Sequence, residues 1–315
     1  MTSWFNRLAM LYGMSTAELL DCLGLGGKSI LDLEWRLGAG EGALLGRRTG
    51  LTMAALQAMS FGDLVPQARM MIALGERRVC PRCPSDVRLK VNALPWSFWC
   101  PVHDARLQPA AAGCLSLQVL LPEEQLAALD RDARLGAMQL TDWARGATSC
   151  AALPDLLGLL TVRHRRSSPP SLVEQPRLSL AARRDNHGFL NTRIARQALL
   201  IVVPEYDNAA PLLTKPVRTG LFALAQGSLL QTYALSAGVG RLVAYPVQHA
   251  VAVLLASDVE GEQRVRQALR AWMPQLRREI YRRLRRLQSH NPDSARLTIM
   301  RRESHNSAQR RSPSH

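Results

Sequence analysis

The chain has 315 residues, of which 47% are hydrophobic, so it can bury one large core or several smaller ones, and global disorder is excluded. Lysine and arginine number 40 against 25 acidic residues, and the net charge of +15 predicts an anionic partner such as DNA or a nucleoprotein complex. Six cysteines are too few for a disulfide scaffold.

The N-terminal stretch MTSWFNRLAMLYG lacks the basic start and unbroken apolar run of a signal peptide. The most apolar region, residues 220–256, is interrupted by polar side chains before it reaches the roughly 20 residues that a membrane span needs. We therefore predict a cytoplasmic protein without a membrane partner, in which thiols stay reduced.

Residues 1–75 are predicted to form short helices in a pattern that occurs twice. Ser15 and Glu18 form an S-x-x-E capping box, which predicts that a helix begins there. The order of glycine, apolar residue, hydroxyl cap and helix recurs 37 residues later, where Gly50 aligns with Gly13 and Thr52 with Ser15. Two helices on either side of a glycine turn are typical of a helix-turn-helix, although any helical hairpin with such a turn fits equally well.

We also make predictions for three smaller features of this region. The glycine-rich segment GAGEGALLG at residues 38–46 is predicted to be a loop, and Cys22 is predicted to lie in the core. The segment GLGGKS at residues 24–29 lacks the first glycine of a phosphate-binding loop, so nucleotide binding is not expected.

Two short motifs, Cys-Pro-Arg-Cys and Cys-Pro-Val-His, are separated by 16 residues. Two intervening residues allow both side chains of each motif to reach one ion, and the proline after each first cysteine fixes φ at the same place in both motifs. We predict one structural Zn²⁺ in a small β zinc ribbon over residues 76–108, with short strands between the motifs. The predicted ligands are Cys80, Cys83, Cys100 and His103.

Other chemistries fit these four side chains less well. A redox Cys-x-x-Cys motif is expected at the start of a helix in a βαβ unit, and a catalytic zinc keeps one coordination position open. A deaminase also needs an H-x-E motif, which the chain does not contain. A second metal site that uses Cys114 and Cys150 stays an open alternative.

The aromatic side chains beside the second motif have two possible roles. Trp96, Phe98 and Trp99 are predicted to pack over the ribbon and shield the ion. The alternative is that they stack on the bases of a single strand.

The rest of the chain is predicted to be helical and to divide into segments. The expected segments are a helical extension over 109–162, a Pro/Ser/Arg linker over 163–177, a helical region over 178–288 and a disordered tail over 289–315. Acidic pairs in the extension, Glu123/Glu124 and Asp130/Asp132, are interpreted as a solvated helix face. Since the acids are scattered and a GxxxxGK[ST] loop is absent, neither a nuclease nor an ATPase is predicted.

The last predicted helix is both amphipathic and strongly basic. Residues 264–287 show one apolar stripe at steps of three and four, and Pro274 is expected to kink or restart the helix. Nine arginines and one acid between Arg264 and Arg286 give this segment a net charge of +8. An ordinary solvated face or a dock for an acidic protein is the alternative to nucleic-acid binding. The predicted phosphate contacts are Arg47, Arg48, Arg282, Arg283, Arg285 and Arg286.

The order of motifs resembles a known family. SWFNRLAMLYGMSTAELL, LLGRRTGLTMAALQAMSF, VCPRC and WSFWCPVHDARL follow one another between Ser3 and Gln108 as they do in the TniQ family, the target-selection proteins of certain cut-and-paste transposons. The resemblance implies a non-enzymatic accessory protein that recognises a DNA site or a guide-RNA effector complex. It also implies recruitment of a AAA+ ATPase, which in turn recruits the transposase.

We therefore predict a mainly α protein with a helix-turn-helix-like N-terminal domain, an embedded zinc ribbon and a helical C-terminal region. A homodimer is a further expectation. The alternative function is a stand-alone zinc-containing helix-turn-helix transcription regulator.

Overall fold

The computed structural model describes residues 1–74, 78–84, 89–109, 121–147, 153–164, 196–209, 220–226, 229–257 and 259–290. These residues are mainly α-helical, as the sequence predicts. The chain divides into two compact units. The first unit comprises residues 1–119, 140–148 and 224–226, and the second comprises 120–139, 149–223 and 227–315.

The first unit contains short helices followed by a small ribbon. Its elements in chain order are α1 (Thr2–Leu11), α2 (Thr16–Cys22), α3 (Ile30–Trp35), α4 (Ala39–Thr49), α5 (Met53–Met59), α6 (Pro66–Leu74), β1 (Arg78–Val79), a 3₁₀ turn (Lys90–Ala93) and β2 (Gln108–Pro109).

Helices also dominate the second unit. Its elements are α7 (Glu123–Ala144, whose last residues belong to the first unit), α8 (Leu153–Leu160), β3 (Arg163–His164), β4 (Arg196–Gln197), α9 (Leu199–Val202), α10 (Pro204–Ala209), α11 (Phe222–Gln226, divided between the units), α12 (Leu229–Ala244), α13 (Pro246–Ala256), α14 (Val259–Ala268), a 3₁₀ turn (Leu269–Ala271) and α15 (Pro274–His290).

The repeated pattern in the N-terminal sequence forms two helix–glycine–helix units, α1–α2 and α4–α5. Gly13 and Gly50 both adopt left-handed backbone, with φ of 65° and 73°, which glycine adopts without a steric cost. Ser15 caps α2 in a complete capping box, and Thr52 caps α5 through its hydroxyl. The prediction of two equivalent units is confirmed.

Two expectations for this region are wrong. Residues 38–46 are not a loop, because α4 begins at Ala39. The glycines there permit close helix packing: a Cβ on Gly42 would meet Met53 Sδ of α5 at 2.6 Å. Cys22 is exposed, since α2 buries Leu19 and Leu20 on its other side.

The core of the N-terminal helices is drawn from all five of the first helices and their connections. Phe5, Leu45 and Leu56 are completely buried there, and Leu33 is 1% exposed. Trp4 and Leu51 cover the edge of this core.

In the second unit, α12 is buried on almost its whole circumference and packs against α8, α9 and α13. It crosses α7 at a pair of glycines: a Cβ on Gly136 would overlap the carbonyl oxygen of Ser236, and a Cβ on Gly240 would overlap that of Asp132. The two helix backbones therefore touch at this crossing, because only glycine leaves room for it.

Two of the acids that were predicted to form a solvated face of α7 contact α12 instead. Asp130 accepts a hydrogen bond from the Tyr233 hydroxyl, and Asp132 accepts one from Arg241 Nε at 2.8 Å. Arg241 also forms a bidentate pair with Glu205 of α10, at 2.8 and 3.0 Å. The solvated-face interpretation of these two residues is wrong, since the partner of Asp130 is completely buried and the partner of Asp132 is half-buried.

The last helix is interrupted, as the proline predicts. α14 ends at Ala268, a 3₁₀ turn follows, and α15 starts anew at Pro274, where the missing N–H costs nothing. The apolar stripe buries Ile280 and Leu284, whereas Leu287 is 44% exposed. Apart from β3, which pairs antiparallel with β4, the predicted linker lies outside the described residues, as does the tail after residue 290.

No single helix in the described part of the chain is long and apolar enough to span a membrane. α12 and α13 reach the necessary length and composition only as a pair, and the chain bends by 116° between them.

Candidate metal centre

The strand pair β1–β2 closes the segment that contains the predicted ligands. Val79 pairs with Gln108 and Arg78 with Pro109, so the chain enters and leaves the segment at one place. Cys80 follows β1 directly, and its sulfur accepts a hydrogen bond from the backbone N–H of Arg82 at 3.4 Å. Within the first motif, this bond turns the chain back so that Cys83 points to the same side as Cys80.

The second motif turns through backbone hydrogen bonds of its own. The N–H of Cys100 donates to the carbonyl of Ala105 at 2.8 Å, and the N–H of Asp104 donates to the carbonyl of Cys100 at 2.9 Å. Asp104 completes the turn with a φ of 47°, a conformation that aspartate tolerates better than most residues. This turn directs His103 towards the sulfurs.

The four predicted ligands form one cluster, with all donor atoms within 4.8 Å of one another. His103 Nδ1 lies 3.6 Å from Cys80 Sγ, 3.4 Å from Cys83 Sγ and 3.7 Å from Cys100 Sγ. The sulfurs of Cys83 and Cys100 are 3.7 Å apart. In a tetrahedral zinc site the corresponding separations are about 3.6 Å between nitrogen and sulfur and about 3.8 Å between sulfurs. The donor set therefore fits a four-coordinate metal ion.

The electrostatics of the cluster also suit a cation. Burial, reinforced by the neighbouring Cys100 and Cys80 sulfurs, raises the pKa of Cys83 to about 12. Burial also acts to raise the pKa of Cys80, but hydrogen bonds from the Arg82 N–H, Cys100 and His103 outweigh it and lower that pKa to about 6. Because one thiolate opposes the formation of the next, a divalent ion would compensate the negative charge that three thiolates accumulate.

Small apolar side chains surround the ligands. Cys80, Cys100 and Leu107 are buried, and Leu89 and Ala105 pack against them. Four protein donors leave no coordination position for a substrate, so the arrangement can organise the fold but offers no site for metal-based chemistry. The sequence argument did not identify Leu89 or Ala105, since their spacing from the motifs carries no recognisable signal.

The aromatic residues next to the second motif contact protein groups. Trp96 is completely buried, packs edge-on against Trp143 and donates its Nε1–H to Thr141 at 3.1 Å. Phe98 is 2% exposed and lies 4.8 Å from the guanidinium of Arg78. Their burial makes both rings unavailable for base stacking.

The described residues between the motifs, 84 and 89–99, do not form the short strands that the sequence predicts. Residues 90–93 form a 3₁₀ turn, and within the described part of this segment, residues 78–84 and 89–109, β pairing is limited to β1–β2 and a single bridge between Trp99 and Arg106. The apolar alternation instead serves burial, since Leu94 is 4% exposed, and Pro95 cannot donate to a ladder. The ribbon is therefore smaller than expected.

The predicted phosphate-contacting arginines lie away from the ligand cluster in sequence. Arg47 and Arg48 are exposed in the last turn of α4. The other four, Arg282, Arg283, Arg285 and Arg286, are exposed on α15. Cys114 and Cys150 lie outside the described residues, so the alternative of a second metal site stays a hypothesis.

Together, the helices and the cluster define a mainly α-helical protein with paired helix–glycine–helix units and a four-residue site fit for a metal ion. Residues 1–107, about a third of the chain, match the model of the TniQ family, in agreement with the resemblance of the sequence motifs. No curated protein and no solved structure matches the chain.

Proposed function

We propose that the protein is a non-enzymatic accessory factor of DNA transposition that selects the target and recruits a AAA+ ATPase. The observation that carries the proposal is the TniQ match, which spans both helix–glycine–helix units and ends at residue 107, just beyond the last metal ligand. The matched segment therefore contains both helix–glycine–helix units and all four residues of the Cys/His cluster, and not an isolated motif. Its target would be a DNA site or a guide-RNA effector complex.

We propose that the cluster of three cysteines and one histidine binds one Zn²⁺ ion with a structural role. Thiolate and imidazole donors in a tetrahedral arrangement are the usual ligands of zinc, which has no redox chemistry under cellular conditions. Binding would require deprotonated thiols, and reduced thiols persist in the cytoplasm, where we expect the protein to act.

The first unit offers a basic site that could contact the target. Arg47 and Arg48 are exposed at the end of α4, directly before the left-handed Gly50. We propose that they bind phosphate groups and thereby position the α4–α5 unit on nucleic acid without reading its sequence. Their position at a helix C-terminus is also favourable for cations in the absence of any ligand.

Co-purification with the ATPase is the direct test. The tagged full chain would be expressed together with the AAA+ ATPase of the transposon that carries it, and the ATPase should co-purify at a stoichiometric level. The metal-site variant Cys83→Ser should lose this interaction, and the Cys22→Ser variant, which alters an exposed cysteine outside the site, should keep it. Failure of the unaltered chain to retain the ATPase would contradict the adaptor function.

The same preparation separates the adaptor from a transcription regulator. A regulator would bind the promoter of its own gene specifically and without a partner protein. Sequence-specific binding of that promoter together with no retained ATPase would replace our proposal with the regulator.

A further inference from the structure

Helix α15 has one apolar face and one basic face. Ile280 and Leu284 are 0% and 2% exposed and point into the second unit. Positions three, four and seven residues apart share a helix face, so a second row of side chains runs along the opposite side. That row consists of the exposed residues Arg278, Arg282, Arg285 and Arg286, which we call the outward arginines.

Ion pairs distinguish the outward arginines from those of the preceding helix. On α14, Arg264 pairs with Glu260 at 3.1 Å and Arg266 pairs with Glu262 at 2.7 Å. These two arginines therefore add little net charge to the surface.

The arginines of α15 have fewer acidic partners than those of α14. The helix has six arginines and one acid, Glu279, which pairs with Arg282 at 2.5 Å. Within the described residues no carboxylate lies within 4.0 Å of Arg278 or Arg285, whose Nε groups donate only to backbone carbonyls of their own helix at 3.4 Å. Among the outward arginines, Arg278 and Arg285 therefore contribute positive charges that no carboxylate of the described residues balances.

Helix stability alone does not account for this row. The helix dipole favours cations in the last turn, which comprises residues 287–290, and all four outward arginines precede that turn. Like charges four residues apart, such as Arg278 and Arg282, destabilise a helix slightly. An anionic partner would reverse that cost.

We propose that the outward arginines bind the phosphate backbone of duplex DNA. They extend over roughly 12 Å along a rigid helix, and duplex DNA presents about one negative charge per 1.7 Å of its axis. Tyr281, the aromatic residue of α15, is half-buried and lies 5.0 Å from the guanidinium of Arg266, so residues 274–289 offer no exposed aromatic ring on which the bases of a single strand could stack. The choice of DNA over duplex RNA rests on the proposed function in transposition.

The test compares two double variants of the full chain, each of which removes two positive charges. R278Q/R285Q alters the outward arginines, and R264Q/R266Q, the control, alters the ion-paired arginines of α14. Binding to a fluorescently labelled DNA duplex would be measured by anisotropy between about 50 and 200 mM salt. We expect R278Q/R285Q to weaken binding on the order of tenfold or more and to lower the slope of log K against log salt by about two, while the control changes neither.

Two results would overturn the inference: an equal loss of affinity in both double variants, and no loss in R278Q/R285Q. Tighter binding of a single strand or of an RNA duplex of equal length would overturn the assignment to duplex DNA. Thermal unfolding of each variant verifies that it is folded. Retention of the ATPase by R278Q/R285Q is measured in parallel, so loss of DNA binding alone supports the inference, whereas an unaltered chain that binds DNA but not the ATPase overturns only the adaptor function.

Discussion

The described cysteines differ in their surroundings, and these surroundings decide what each can do. Cys80, Cys83 and Cys100 converge with His103 in a partly buried cluster, whereas Cys22 lies exposed on α2. A thiol that has no neighbouring donor cannot hold a metal ion. The capacity of this chain to bind a metal therefore depends on which cysteine side chains lie together and not on the number of cysteines.

Replacement of Cys83 by serine should remove the metal ion. A hydroxyl is a poor substitute for a thiolate ligand, and three remaining donors bind zinc much more weakly than four. We expect the metal content of the purified protein to fall from about one ion to near zero and the ribbon to unfold. Metal analysis and thermal unfolding would measure both effects, with Cys22→Ser as the unaffected control. Full metal occupancy in Cys83→Ser would contradict a structural role for the cluster.

His249 should make the stability of the second unit sensitive to acid. Burial, and then the nearby charge of Arg241, lower the pKa of His249 below its ordinary value of 6.5. Above pH 6.5, His249 is mostly neutral in both the folded and the unfolded chain, so its protonation does not reduce the free energy of unfolding. As the pH falls below that value, the unfolded chain binds the proton first and stability declines.

His249→Gln should lose less stability than the unaltered protein between neutral and mildly acidic pH, because glutamine does not titrate. Urea unfolding midpoints at two pH values would show the difference, and any effect of pH on the metal site is common to both proteins. Identical declines in the two proteins would mean that His249 is protonated equally in the folded and unfolded states.

At the scale of helices, glycine has two distinct roles in this molecule. Gly13 and Gly50 supply left-handed backbone between paired helices, and Gly136 and Gly240 supply space where α7 and α12 touch. The first role is conformational and the second is steric, so substitutions should fail for different reasons at the two kinds of site.

Gly50→Ala should destabilise the first unit by about 1–2 kcal/mol, the cost of a left-handed conformation for a residue with a Cβ. The added methyl group would meet nothing within 4 Å, so the loss would be purely conformational. Gly40→Ala, within α4 and equally free of contacts, should be neutral or slightly stabilising. Chemical denaturation would measure the free energy of unfolding of both variants. Equal changes in that free energy would disprove the conformational explanation.

Gly136→Ala should destabilise the second unit by about 1–3 kcal/mol or more, because the new methyl group would overlap the backbone of α12. A backbone carbonyl cannot rotate away as a side chain can, so the helices would have to separate. Gly158→Ala in α8, where a Cβ meets nothing within 4 Å, should stabilise by up to about 1 kcal/mol. Unfolding midpoints measure both, and a tolerated Gly136→Ala would show that the crossing can relax.

Local signals predicted the elements well where a single residue type determines the backbone. The caps at Ser15 and Thr52 and the restart at Pro274 are all present in the structure, because these effects act within one helical turn. The failures depend on residues that are distant in sequence. The glycine-rich start of α4 is helical and places Gly42 against Met53 of α5, a contact that leaves no trace in a local pattern.

At the scale of the whole molecule, different sets of residues stabilise the two units. The first combines its helical core with the ligand cluster, and the second depends on α12 and the helices around it. The convergence of the four Cys and His side chains was predictable because metal binding itself would require their spacing, whereas the pairing of Asp132 with Arg241, 109 residues away, required the fold. A count of charges has the same limit, since only the structure separates the ion-paired Arg264 and Arg266 from Arg278 and Arg285.

Removal of the metal by a chelator should therefore act locally. We expect faster hydrogen exchange in residues 78–84 and 89–109, whose backbone is organised around the Cys/His cluster, and unchanged exchange in residues 229–256. Hydrogen exchange followed by mass spectrometry, before and after chelation and after zinc is restored, would measure this. Equal acceleration in both segments would show that the two units unfold together.

The glycine crossing between α7 and α12 also restricts how the second unit can move. If α7 slid along α12 by one turn, Asp132 or Leu140 would replace Gly136 at the contact, and neither side chain fits where two backbones touch. Rotation about the crossing needs no such replacement. The point at which these helices lack side chains is thus a pivot, and any rearrangement of α7 against α12 would turn about it and leave the register unchanged.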